Sequence, residues 1–138
     1  MTRNEVFRIL NAVNNLDADL QIVRIQIERM ESTLQGHAIR YDIDKVQTSP
    51  TDKVAEVVAD MEKLLIKRDR LQTEIIAAMQ QSADLIAKLT DNKHRLVLHY
   101  RYTAGLPWAQ VAVRVGYDER HTRRLRDEAV ALLCKKCP

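Results

Sequence analysis

Seven apolar residues, Val13, Leu16, Leu20, Val23, Ile27, Met30 and Leu34, recur at alternate steps of three and four. On an α-helix this spacing lays them along one narrow stripe, as in a coiled-coil seam, with charged residues over the rest of the surface. Val6, Phe7 and Leu10 carry the stripe back toward Met1. A helix of this kind gains most of its stability by burying its stripe, so a second helix is expected to cover it. Gly36 stands where a left-handed cap would end the helix, and residues 36–50 read as a connector.

Ser49-Pro50-Thr51-Asp52 then reads as a helix start. Ser49 is suited to cap free amides, Pro50 to the first helical position and Asp52 to the positive end of the helix dipole. The predicted helix runs from Pro50 to about Leu89, with Val54, Val58, Met61, Leu65, Leu71, Ile76, Met79 and Ile86 on its apolar side. Arg68 and Ser82 interrupt that side, which is broader than a strict two-stranded seam. The expectation for residues 1–89 is a long, coiled-coil-like helical hairpin. Its helices pair with each other, with a second chain as a homodimer, or both. Strand-like alternation appears nowhere, so the predicted class is all-α.

Residues 90–138 change character, toward short helices with defined turns. Thr90 or Asp91 caps a helix through Val97, Tyr100 and Tyr102 that ends at Ala104–Gly105. A second helix, Trp108–Val115, follows Pro107. Gly116 suits a tight corner, and Asp118 caps a third helix predicted to run to about Leu133. Thr122, Leu125, Ala129 and Leu132 form its expected buried side; Arg120, Arg123, Arg124 and Asp127 fall on the opposite side. A helix, a glycine turn and an arginine-rich helix make the helix-turn-helix layout, in which the second helix enters the major groove.

Charge follows the same division. Residues 93–138 hold ten Lys and Arg against four Asp and Glu, a net +6, whereas the first 92 hold twelve against fifteen, a net −3. A basic end on an acidic scaffold points to a polyanionic partner, here double-stranded DNA. No apolar run reaches the roughly 18 residues of a membrane span. Two cysteines, Cys134 and Cys137, are too few for a disulfide framework, so the cytoplasm is the expected location, with no membrane partner.

The stretch VLHYRYTAGLPWAQVAVRVGYDERHTRRLRDEAVALL, Val97 to Leu133, resembles the fourth region of bacterial housekeeping sigma factors, a helix-turn-helix that reads promoter DNA. More closely, Arg101–Tyr102, Gly105, Trp108, Val111–Ala112, Gly116–Tyr117, Arg120–His121 and Arg124–Leu125 resemble the pattern of phage and prophage late transcription regulators of the RinA/ArpU group. Val46 to Leu64 is similar to that group's linker and helix start. The resemblance implies that Glu119, Arg120, Arg123 and Arg124 contact bases and phosphates, while Val111, Thr122 and Leu125 pack the motif. It also makes RNA polymerase a candidate partner. Asp118 and Glu119 depart from the Ser or Thr followed by Arg that sigma factors commonly carry there. The chain also lacks a sigma factor's regions for binding core polymerase, so promoter melting is not expected.

The candidate DNA-binding set is Glu119, Arg120, His121, Arg123, Arg124 and Arg126. The bland alternative for the arginines is a solvated face, and for His121 a capping or packing role. Trp108, Tyr100, Tyr102 and Tyr117, four of the chain's six aromatics, are expected to be core anchors of a small module. Cys134 and Cys137 make a CxxC without the second pair that structural zinc requires, so neither metal nor cofactor is expected. No phosphate-cradling glycine loop, HExxH or nucleophile elbow occurs, so the chain does not read as an enzyme. The resulting expectation is a sequence-specific transcription regulator. A phage small terminase subunit and a coiled-coil protein-interaction adaptor are the alternatives.

Overall fold

The computed structural model describes the backbone of residues 1–43 and 50–138, and the side chains of residues 1–36 and 52–138. Those residues form α1 (Arg3–Ile43), α2 (Pro50–Ile86), α3 (Asn92–Leu98), a π-helical turn (His99–Thr103), α4 (Trp108–Val115) and α5 (Glu119–Lys136), with no strand among them. The class is all-α: two long helices that pack together, then short ones.

Gly36 does not end α1, which continues to Ile43. Gly36 has no left-handed backbone, and a glycine inside a helix weakens it by roughly 0.5–1 kcal/mol without breaking it. The expected connector is therefore helical over 36–43, while Ser49 and its proposed cap lie outside the described residues. Pro50 opens α2 and Asp52 lies in its first turn, as the spacing predicts.

The chain divides into two compact units, Asp17–Thr73 and a second made of Met1–Leu16 with Glu74–Pro138. The expected boundary at residues 89 and 90 is not where these units part. In Asp17–Thr73, Leu20, Val23, Ile27 and Leu71 are buried. Ile22, Ile25, Val58 and Ile66 of the same unit are exposed.

The other unit has two apolar clusters. In the larger, Val6, Ile9 and Leu10 of α1 meet Leu85, Ile86 and Leu89, together with Tyr102, Ala129, Val130 and Leu133. Ser82, which interrupts the apolar pattern, is fully buried, and its hydroxyl donates to the Ile9 carbonyl at 3.1 Å. The smaller cluster joins Val97, Val111 and Leu125, flanked by Tyr100, Leu106, Trp108, Val115 and Tyr117. Thus α5 buries two sides. Leu125 serves the short helices, and Ala129, Val130 and Leu133 serve the ends of the long ones. Leu132, expected on the buried stripe, is exposed, and α5 extends past Leu133 to Lys136.

The two clusters are supplied through the π-helical turn. Ala104 N–H donates to the His99 carbonyl five residues back at 2.9 Å, and Leu106 N–H to Tyr100 at 3.0 Å. The widened turn allows Tyr102 to join the larger cluster while Tyr100 flanks the smaller one. Gly105 then turns the chain at φ +70°, where a Cβ would lie 3.2 Å from Asn14 Oδ1.

Candidate nucleic-acid interface

The corner between α4 and α5 is built by three residues. Gly116 takes a left-handed φ of 81°, which a side chain would oppose, and its N–H and that of Tyr117 both donate to the Ala112 carbonyl. Asp118, in extended backbone, accepts from the His121 N–H at 2.7 Å and so caps α5. Thr122, fully buried, donates its hydroxyl to the Asp118 carbonyl at 2.7 Å. Val111 and Leu125 pack the two helices together. This is the helix-turn-helix connection expected from the spacing.

Glu119, Arg120, Arg123 and Arg124 are exposed on the first turns of α5. Tyr117, Asp118, Arg120, His121 and Arg124 line one shallow open depression; Glu119, Arg120 and Arg123 line a second. His121 is half-buried, its ring edge-on to Tyr117 with centroids 4.4 Å apart. Its imidazole packs within the depression's wall, and its backbone amide serves the cap.

Arg126 stands apart from the set expected for it. It is half-buried, with Nε donating to Asp127 Oδ1 at 2.7 Å and a terminal nitrogen donating to the Tyr102 hydroxyl at 3.3 Å. Its guanidinium lies 5.6 Å from the Phe7 ring centre and 5.0 Å from that of Trp108. Burial alone would lower its pKa, but the bonds to Tyr102 and Asp127 outweigh that and raise it. One residue further along from Leu125, its side chain turns toward the module's interior rather than outward with Arg120 and Arg124.

Lys93 and Arg101 joined the charge count but not the candidate set. Lys93 donates to the Tyr117 hydroxyl and lies 4.8 Å from that ring's centre, so a cation borders the depression from α3. The hydrogen bond to Tyr117 raises its pKa. Arg101 lies over Trp108 at 4.9 Å, and Arg114 over Tyr100 at 5.6 Å. Helical periodicity could not have found these pairs because each joins different elements. The available signal was compositional: arginines and aromatics concentrate in the same forty residues.

His94 fastens α3 to α5. It is buried, with Nε2 3.2 Å from Glu128 Oε2 and Nδ1 3.9 Å from Asp91 Oδ2. Cys137 is buried, and its sulfur accepts from Lys88 Nζ at 3.3 Å. No grouping of three or more His, Cys, Asp or Glu suited to a metal occurs among the described residues. No helix among them is long and apolar enough to cross a membrane. Comparison with protein-family models, with curated proteins and with solved structures yields no match.

Proposed function

We propose that the chain is a sequence-specific DNA-binding transcription regulator of the phage or prophage type, reading the major groove with the start of α5. The observation that carries this reading is the set of exposed side chains of Arg120, Arg123 and Arg124 on the helix that follows a glycine corner and an aspartate cap. Arginine is the side chain best shaped to bond guanine bidentately or to grip a phosphate. Glu119 beside them is suited to accept from a cytosine amino group.

One module of this size meets few base pairs, so specificity calls for two copies on neighbouring half-sites or for help from RNA polymerase. A homodimer formed through α1 and α2 supplies the second copy. The host cytoplasm is where such a regulator acts.

Selection of bound duplexes from a random pool, followed by titration across salt, tests the reading. The expected result is an enriched motif and affinity that falls steeply with salt. Replacing Arg120 and Arg124 together by Ala should remove roughly 1–3 kcal/mol for each base contact. No enrichment, or affinity unchanged in that double variant, overturns the reading in favour of an adaptor. A many-membered ring in solution favours packaging instead.

A further inference from the structure

Trp108 is the chain's sole tryptophan, and it stands half-buried at the start of α4. Three guanidinium groups gather around its ring: Arg101 at 4.9 Å, Arg126 at 5.0 Å and Arg123 at 5.7 Å from the ring centre. Each contact is attractive alone, because the ring face is negative. Together they hold three like charges closer than or about one Debye length, roughly 10 Å at moderate salt, and the charges repel.

Among the described residues, little offsets that repulsion. Asp127 pairs with Arg126 and is shared with Arg3, 3.4 Å away. Arg101 donates one N–H to the Leu106 carbonyl at 3.1 Å and has no carboxylate partner among the described residues. Among the described residues, Arg123 has neither a hydrogen bond nor an ion pair, only the indole. A guanidinium carries five N–H donors, so most of the donors in this cluster remain open. An anion placed among them would relieve the repulsion and take up those donors together.

We infer that Arg101, Arg123 and Arg126, gathered on Trp108, form a phosphate-binding cluster that takes one backbone phosphodiester of duplex DNA. The inference rests on the DNA-binding reading and joins Arg123 on the first turns of α5 to Arg101 of the π-helical turn in one contact. It divides the labour among the arginines. Arg101, Arg123 and Arg126 hold the backbone, and Arg120 and Arg124 are left to read bases.

The sole tryptophan makes the cluster directly observable. Titrating the full chain with a selected duplex should change Trp108 emission saturably, in step with binding measured on the labelled duplex. Inorganic phosphate should produce a weaker change of the same sign. Arg101→Gln should weaken duplex binding roughly five- to tenfold. It should also reduce the slope of log affinity against log salt by about one. Lys135→Gln, which removes the same charge elsewhere on α5, should leave that slope near the wild-type value. Arg123→Gln, whose side chain holds no hydrogen bond among the described residues, should reproduce the Arg101 effect and guard against a folding defect. If the wild type binds duplex with no change in Trp108 emission, and both variants keep the wild-type salt slope, the cluster is overturned while the DNA reading stands. If the wild type binds no duplex, the reading itself fails and the inference fails with it.

Discussion

The two compact units treat their apolar residues differently. In Met1–Leu16 with Glu74–Pro138, segments of α1, α2, the short helices and α5 meet, and Val6, Leu10, Ile86, Val97, Leu98, Val130 and Leu133 lose essentially all exposure. In Asp17–Thr73 the described residues belong to two helices. Ile25 keeps 62% of its surface and Ile66 keeps 70%. A helix in a pair can cover only one side of its partner, whereas several helices can surround a residue. The lesson is that a seam of heptad spacing specifies pairing, but the number of helices that converge decides how much apolar surface disappears.

Four measurements would break or sharpen that contrast. The largest effect should come from Leu10→Ala, which empties a fully buried position in the multi-helix unit. A loss of about 2–5 kcal/mol in denaturant unfolding is expected. A smaller loss, about 0.5–2 kcal/mol, should follow Asp118→Ala, because the His121 amide loses its cap. On the proposed DNA-binding reading, that variant should also weaken binding of a labelled duplex by loosening the start of α5, which titration would reveal.

In the two-helix unit, Ile25→Ser and Ile66→Ser should change single-chain stability by no more than about 0.5 kcal/mol, since both side chains face solvent. If a second copy covers them, sedimentation equilibrium should show the dimer weakened while unfolding of the dilute chain is unmoved. A stability loss comparable to that of Leu10→Ala would erase the difference between the units.

The smallest expected effect concerns pH. Burial first, and the nearby charge of Arg95 second, disfavour the protonated form of His99, lowering its pKa. The unfolded chain therefore binds a proton more readily than the folded one. Stability should be full above about pH 6.5, the ordinary histidine value, and decline as pH falls through and below it. The half-exposed site makes the decline modest. Thermal midpoints of the wild type and of His99→Gln, followed as the solution is acidified, should converge if His99 is responsible.

Much of the fold could be read from spacing and punctuation. The heptad stripe foretold α1, Pro50 opened α2, and Asp91, Gly116 and Asp118 took the capping and corner roles their chemistry suits. Gly36 suits a cap yet lies inside α1, because a glycine weakens a helix without breaking it. Ser82 looked like a defect in the stripe. It became a buried donor because the Ile9 carbonyl lay opposite it. Of the candidate interface, the exposed Arg120, Arg123 and Arg124 followed from helical phase. The inward turn of Arg126 did not, because phase alone does not reveal that Phe7, Tyr102 and Trp108 wait on that side.

Local rules acting over one or two turns settled the helices, their starts and the corner before α5. Backbone conformations and caps depend on neighbours a few residues apart, so those features survive in the order of amino acids alone. That Arg126 turns inward while Arg120 and Arg124 stay in solvent depended on residues from α1, the π-helical turn and α4 arriving at the same place. So did the absorption of both ends of the hairpin into the core of the C-terminal helices. Such meetings are long-range packing events, and they leave no period in the sequence.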